Sequence, residues 1–155
     1  MTDTILRFRE YLIVERNASD HTVTAYSRDL RQFHDWLTTW TEGSEIDLDA
    51  VDRNTIRTWL GSLAEKGLSK RSISRKVTAL RTFFRFAEQR GFADRDPTTD
   101  LHSLKIDKSL PTFLNEDALS ALLKLPDTAT TEGARDAAIL ELFYSTGMRL
   151  SELVA

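Results

Sequence analysis

The sequence predicts an all-α protein, in which four helices form a first domain and a second, mainly helical region follows after a connector. Apolar residues recur every three or four positions along most of the chain, whereas the alternating pattern of a half-buried strand is almost absent. Ser, Asp or Asn precedes most of these periodic segments, as expected at helix starts. The composition, with 41% hydrophobic residues among 155, is sufficient for a substantial core.

The first two predicted helices form an amphipathic pair. Thr2 or Asp3 can cap the first helix, which ends near Asn17, and Ser19 is a suitable N-cap for the second, which extends to about Thr39. The spacing of the apolar residues places them on one face of each helix. These faces consist of Ile5, Phe8 and Leu12 in the first helix, and of Val23, Tyr26, Leu30, Phe33 and Leu37 in the second.

The third predicted helix follows the acidic segment TEGSEIDLDAVD, whose last residue, Asp52, can cap it. The segment lacks the Gly and the terminal Glu of a calcium-binding loop, which favours a solvated linker. Gly67 fits the left-handed position after the helix, and Leu68 fits the hydrophobic contact that accompanies it. The core side of this helix comprises Ile56, Trp59, Leu60 and Leu63.

The fourth predicted helix, from Ser69 to about Gln89, has two chemically different faces. Five apolar residues fall within about 40° of one direction at 100° per residue, so this stripe must face a core. The opposite side carries guanidinium and hydroxyl groups and no carboxylate. The apolar stripe is Ile73, Val77, Leu80, Phe84 and Ala87, and the polar face is Arg71, Ser74, Arg75, Thr78, Arg81, Thr82 and Arg85.

This polar face predicts contact with nucleic acid. The segment 68–91 holds seven basic residues and one acidic residue, although the whole chain has a formal net charge of −3. Arg supplies bidentate donors for phosphate, and Ser and Thr hydroxyls suit the DNA backbone and base edges. The alternative is an ordinary solvated helix face, but such faces usually mix both signs because charge pairs at i and i+4 stabilise the helix.

The second helix offers a weaker companion surface opposite its apolar side. Its polar residues have a modest positive character at the middle turns, and taken alone they are typical of a solvated surface. Two outward polar helices in one four-helix unit can, however, straddle a duplex, with one of them in the wide groove. This surface consists of His21, Thr24, Arg28, Arg31, Gln32 and Asp35.

The segment RGFADRDPTTDLHSLKIDKSLP is typical of a connector, because Gly91 ends the fourth helix and Pro97 and Pro111 break any continuation. We therefore predict a first domain over residues 1–100, a linker over 101–111 and a second region over 112–155.

The second region is predicted to contain two complete helices. Asn115 can cap a short helix, a longer one extends from about Gly133 to Ser145, and Gly147 can end it. Met148 to Glu152 begin a further helix, and the last residues up to Ala155 are apolar and uncapped, which is not typical of a finished C-terminus. These 44 residues cannot enclose a core by themselves.

The composition excludes several classes of site. Because the chain has no Cys and its three His residues lack the spacing of metal ligands, we predict no metal site. No apolar run approaches the roughly 20 residues that span a bilayer. The N-terminus lacks the regions of a signal peptide, so we expect a cytoplasmic location without a membrane partner.

Over essentially its whole length the sequence resembles the tyrosine recombinases, specifically the Xer type. The matching stretches are ASDHTVTAYSRDLRQFHDWL, SKRSISRKVTALRTFFRFAEQRG, DPTTDLHSLKIDKSLPTFLNEDALSALL and ARDAAILELFYSTGMRLSELVA. The last is the most specific, because the family's TGxRxSEL motif carries its first catalytic arginine, which here is Arg149, and a supporting acidic residue, which here is Glu152. Where family members often have Pro-Lys, this chain has Leu104-Lys105, a departure that affects no chemistry.

The resemblance implies a four-helix, SAM-like core-binding domain that covers one face of double-stranded DNA with its second and fourth helices. In the second domain of the family, a tyrosine attacks the scissile phosphodiester and forms a 3′-phosphotyrosyl intermediate without a cofactor. Arg149 would then neutralise nonbridging oxygens in the transition state. Family members assemble as tetramers on paired sites, so other recombinase protomers are implied partners.

The charge pattern and the resemblance together assign a set of DNA-contacting residues on the second and fourth helices. These are Thr24, Arg28, Arg31, Arg71, Ser74, Arg75, Thr78, Arg81 and Arg85.

The remaining catalytic residues of the family, among them a lysine, a His-x-x-Arg motif and the nucleophilic tyrosine, lie downstream of the matched motif. Tyr11, Tyr26 and Tyr144 are better explained by packing in a core or an interface. We therefore expect the chain to break off inside the first catalytic motif of a longer recombinase, as an isolated piece or a fragmentary gene product, and to bind DNA without cutting it. Two alternatives stay open: a helical module that docks an acidic protein partner, and a regulatory partner of an intact recombinase.

Overall fold

The structure, a computed structural model, describes residues 1–42, 46–101 and 113–155. Within these ranges all regular secondary structure is α-helical, which confirms the predicted all-α fold. The helices are α1 (Thr2–Val14), α2 (Asp20–Trp40), α3 (Arg53–Glu65), α4 (Lys70–Gln89), α5 (Glu116–Leu123), α6 (Thr131–Thr146) and α7 (Leu150–Leu153).

The chain divides into two compact units, Met1–Asp107 and Lys108–Ala155. Apart from Leu101, the predicted linker 101–111 lies outside the described residues. The domain limits at 100 and 112 therefore stay predictions.

α4 is the central helix of the first unit, because it packs against α1, α2 and α3. Large aromatic side chains fill the space between the helices. Phe8 of α1 meets Phe83 of α4 edge to face, with ring centroids 5.5 Å apart, and Phe33 of α2 lies 4.9 Å from Trp59 of α3. These four rings are buried, so their contacts stabilise the packing of all four helices.

Side-chain caps begin α2, α3 and α4, as the sequence predicts. The capping residues are Ser19, Asp52 and Ser69, whose side-chain oxygens accept from the backbone N–H three residues later at 3.3, 2.7 and 3.2 Å. Each bond satisfies an N–H group that has no acceptor inside its helix. At the other end of α3, Gly67 has a φ of 78°, in agreement with the predicted left-handed position.

The start of α1 differs from the prediction that Thr2 or Asp3 caps it. Both residues lie inside the helix, and Met1 precedes it without a side-chain hydrogen bond. The carbonyl oxygen of Met1 already accepts from the N–H of Ile5 at 3.1 Å, so helical hydrogen bonding begins there. Asp3 instead pairs with Arg7 one turn later, with 2.8 Å between the carboxylate and Nε.

The helices of the second unit follow the predicted order. Asn115 caps α5 by accepting from the N–H of Ala118 at 2.8 Å, and Gly147 ends α6 with a φ of 65°. α6 begins two residues earlier than predicted, because Thr130 caps it by accepting from the N–H of Gly133 at 3.0 Å. Among residues 113–155 only Gly133 is buried, which agrees with the expectation that this region does not enclose a core of its own.

Candidate nucleic-acid interface

The inner face of α4 is wider than the predicted stripe. All five stripe residues are buried, as expected. Four further positions are buried as well, so the helix is enclosed over about half of its circumference at 100° per residue. These additional residues are Lys76, Ala79, Phe83 and Phe86.

The predicted polar residues form the remaining, outward face of α4. Arg71, Thr78 and Arg85 are exposed, and neither of these two arginines has a carboxylate partner within the described residues. The hydroxyl of Thr78 donates to the carbonyl of Ser74 one turn earlier, at 3.0 Å. Arg71 and Arg85 are therefore the α4 cations best placed to meet an external anion.

Two of the predicted DNA-contacting arginines have intramolecular acceptors. Arg81 is half-buried and donates to the carbonyl oxygen of Leu101, which ties α4 to the last described residue of the first unit. Arg75 donates to the carboxylate of Asp29 on α2 and, at 3.4 Å, to the carbonyl oxygen of Ala25. The α4 face itself carries no carboxylate, as predicted, but Arg75 finds one on the neighbouring helix.

Asp29 is the centre of a charge cluster between α2 and α4. Its side chain is only 1% exposed, and its second carboxylate oxygen accepts from Nζ of the buried Lys76 at 2.7 Å. The Lys76 ammonium also donates to Gln32 and lies 5.9 Å from the ring centroid of Trp59. One carboxylate thus meets two cations, and Arg75, whose side chain is 42% exposed, carries the surplus positive charge to the surface.

This cluster also shows that the outward faces of α2 and α4 adjoin. Gln32 belongs to the exposed side of α2 and Arg75 to the exposed side of α4, and both contact the Asp29–Lys76 pair. The predicted α2 residues Thr24, Arg28 and Arg31 are all exposed. The two predicted polar surfaces therefore meet where α2 packs against α4.

Sequence reasoning did not find the cluster, although a signal was present. Asp29 directly precedes Leu30, and Lys76 lies one helical turn after Ile73 and one before Leu80, so each charge falls within or beside an apolar stripe. A charged residue at such a position requires a partner, because burying a lone charge is costly.

In the second unit, Arg149 and Glu152 lie together at the start of α7. The carboxylate of Glu152 accepts from the backbone N–H of Arg149 at 2.8 Å and from its Nη1 at 3.2 Å. The Arg149 side chain is 82% exposed, so most of its donors are open to a ligand. The acidic residue thus holds the arginine at the turn between α6 and α7.

The three tyrosines have different environments. Tyr11 packs on Phe86 with ring centroids 4.9 Å apart, and Tyr26 packs against the core of the first unit, as expected. Tyr144 is 61% exposed, so it does not pack in a core of its own unit, and the alternative of packing in an interface stays a prediction.

Neither a metal-ligand cluster nor a membrane-spanning helix occurs in the described part of the chain. No group of three or more His, Asp or Glu side chains there is arranged to hold a metal ion. In those same ranges, no helix has the length and apolar character needed to cross a membrane.

Comparison with known proteins identifies relatives of both units. Residues 5–91, which span most of the four-helix unit, match the family described as "Phage integrase, N-terminal SAM-like domain". The chain is 40% identical over 154 residues to the tyrosine recombinase XerD of Staphylococcus aureus strain Mu50, which covers 99% of this chain and 51% of the relative. It is 43% identical over 145 residues to the tyrosine recombinase XerC of Oceanobacillus iheyensis. That match covers 94% of this chain and 47% of the relative. The chain spans about half the length of these curated relatives.

Proposed function

Because the chain belongs to the Xer-type tyrosine recombinases of the phage integrase family, we propose that its first unit binds double-stranded DNA through the outward faces of α2 and α4. The observation that carries this proposal is the outward face of α4. It presents Arg71 and Arg85 without a carboxylate partner in the described residues, while the reverse of the helix is buried.

The chemistry of this surface suits a DNA backbone. Unpaired guanidinium groups offer bidentate donors to phosphate oxygens, and neutralising phosphates releases condensed counterions, which favours binding. Arg75 differs from Arg71 and Arg85 because Asp29 already accepts from it, so its guanidinium is oriented before DNA arrives. Thr24, Arg28 and Arg31 supply the α2 side, and Ser74, Thr78 and Arg81 complete the α4 side.

The second unit contributes to the strand-exchange site in this proposal. Arg149 would neutralise the nonbridging oxygens of the scissile phosphate, and Glu152 would orient it through the two hydrogen bonds at 2.8 and 3.2 Å. The family motifs that carry the lysine, the His-x-x-Arg pair and the nucleophilic tyrosine have no counterpart assigned in these 155 residues. We therefore propose that these residues by themselves bind DNA without cleaving it. In the recombinase, we propose that they act in the cytoplasm with other protomers in a tetramer on paired DNA sites.

The test is a duplex-DNA titration at several salt concentrations. The wild-type chain should bind more weakly as the salt concentration rises, with log Kd increasing linearly with log salt concentration. In the double variant Arg71→Gln/Arg85→Gln the slope should fall by about 1.8, since each lost phosphate contact removes about 0.9.

A matched control uses Arg7→Gln/Arg90→Gln, which removes the same charge. Arg7 of α1 and Arg90, which directly follows α4, already pair with Asp3 and Glu15. Both lie beside Phe92 in a pocket that none of the proposed DNA-binding residues lines. This control should keep the wild-type slope. Equal slopes for the two double variants would refute the assigned face. Absence of any complex at micromolar protein would favour the protein-docking alternative, because even nonspecific DNA binders form complexes in that range.

A further inference from the structure

An open groove of about 520 Å³ runs between α1 and α2 on the first unit. α1 contributes Arg9 and Ile13 to its lining. α2 contributes Asp20, Val23, Thr24, Ser27, Arg28 and Arg31. Three of these residues, Thr24, Arg28 and Arg31, belong to the proposed DNA-binding surface, so the groove extends that surface onto a helix that the sequence pattern did not include.

The lining of the groove has an excess of positive charge. It contains three guanidinium groups and a single carboxylate, that of Asp20. Within the described residues, Arg9, Arg28 and Arg31 make no ion pair. Asp20 lies in the first turn of α2, about 16 Å along the helix axis from Arg31 at 1.5 Å per residue. The end of the groove near Arg31 therefore carries uncompensated positive charge.

The two arginines of α1 have different surroundings. Arg7 and Arg9 are two positions apart and thus about 200° apart around the helix. Arg7 pairs with Asp3 at 2.8 Å and lies 5.7 Å from the ring centroid of Phe92. Arg9 lines the α1/α2 groove instead. Arg7 is therefore partly engaged within the protein, by one carboxylate and one ring, whereas Arg9 lies at the surface that α2 presents.

We propose that this groove is a phosphate-binding subsite, in which Arg9 of α1 joins the α2 residues of the lining to hold one DNA backbone phosphate. The inference rests on the proposed DNA binding. Guanidinium groups from two helices can donate to the oxygens of one phosphate from different directions. Such contacts fix the register of a protein on the duplex. The hydroxyls of Thr24 and Ser27 supply further donors, and the partly apolar wall at Ile13 suits a deoxyribose.

The experiment compares Arg9→Gln with Arg7→Gln in the complete 155-residue chain. Both variants remove one charge from α1, and both arginines are exposed, so helicity by circular dichroism should match the wild type. Arg9→Gln should weaken duplex binding several-fold and lower the log–log salt slope by about 0.9, whereas Arg7→Gln should keep the wild-type slope. Arg9→Lys should restore the slope, because an ammonium also displaces a counterion at a phosphate.

A scan of single methylphosphonate replacements along the duplex locates the contact. Methylphosphonate replacement should weaken binding of the wild-type chain at one phosphate position where it leaves binding of Arg9→Gln unchanged. If Arg9→Gln behaves like Arg7→Gln while Arg71→Gln/Arg85→Gln still loses slope, the subsite is refuted and DNA binding by α2 and α4 stands. If the wild-type chain binds no duplex at all, both proposals fail. If millimolar inorganic phosphate competes with the duplex for the wild-type chain, while wild type and Arg9→Gln give the same methylphosphonate pattern, the groove binds free anions and the DNA contact is overturned.

Discussion

The ammonium of Lys76 donates to the carboxylate of Asp29 across 2.7 Å, in a pair that is almost completely enclosed between α2 and α4. The residues are 47 positions apart in the sequence, so the pair joins two helices that are not consecutive. Arg75 binds the other carboxylate oxygen from the surface side. The same carboxylate therefore holds the helices together and orients an arginine on the proposed DNA face.

Removal of the central carboxylate should destabilise the first unit. Asp29→Ala leaves Lys76 buried with only Gln32 as a hydrogen-bond partner. We expect a loss of about 3 kcal/mol in the free energy of unfolding, as for a buried pair that loses one member. Urea unfolding measures it, with Glu15→Ala as control, since the exposed Glu15–Arg90 pair should be worth less than about 1 kcal/mol. Similar losses in both variants would contradict the assigned burial of the cluster.

Replacement of both members of the pair should recover most of this stability. In Asp29→Leu/Lys76→Met no buried charge remains, and apolar side chains occupy a similar volume next to Trp59. We expect the free energy of unfolding to lie within about 1 kcal/mol of the wild type. Arg75 would lose its carboxylate acceptor and keep only the carbonyl oxygen of Ala25 at 3.4 Å, so its side chain would gain freedom. The double variant should therefore fold well and still bind DNA more weakly than the wild type, and a titration at fixed salt compares the two.

Two glycines of the first unit should respond in opposite ways to alanine. Gly61 lies inside α3, and apart from the backbone of its own helix no atom lies within 4 Å of the position that an alanine methyl group would occupy. Gly67, in contrast, has a φ of 78° that disfavours any side chain. Gly61→Ala should stabilise the protein by about 0.5–1 kcal/mol through lower chain entropy in the unfolded state. Gly67→Ala should destabilise it by about 1 kcal/mol or more. Thermal unfolding separates them, and a shift of the same sign in both variants would contradict the assigned end of α3.

The helices of the first unit were predictable because their signals are local. A cap such as Ser69 and the spacing from Ile73 to Phe84 depend on residues within one helix, and the structure confirms both. The full width of the buried face of α4 was not predictable in this way. Phe83 and Phe86 are buried because α1 packs against that side, and their burial depends on tertiary contacts that one helix does not reveal.

The candidate site was predictable in its residue types and less so in its connections. The periodicity of α4 places Arg71 and Arg85 outward, and the structure agrees. The acceptor of Arg75 lies on another helix, at a sequence separation of 46, so the pattern of α4 alone gives no indication of it. The same reason applies to Arg9, because the α1/α2 groove exists only after the two helices pack.

The cap of α3 should make part of the stability depend on pH. The backbone N–H and the hydroxyl of Thr55 both donate to Asp52 at 2.7 Å, and these hydrogen bonds lower the pKa of the Asp52 carboxyl below its ordinary value of 3.8. A carboxyl with a lowered pKa in the folded state stabilises the protein at pH values above its unfolded-state pKa. That contribution decreases as the pH falls through the folded-state pKa.

Asp52→Asn isolates this contribution, because Asn also caps a helix but does not titrate. The difference in unfolding free energy between wild type and variant should be constant above about pH 5 and should shift in favour of the variant below about pH 4. Thr55→Val removes only the hydroxyl donor and leaves the backbone N–H bond in place. It should raise the pKa of Asp52 and reduce the pH-dependent part of the free energy of unfolding. Urea unfolding between about pH 2 and 7 gives the three profiles, and an identical acid limb for wild type and Asp52→Asn would show that Asp52 does not contribute to it.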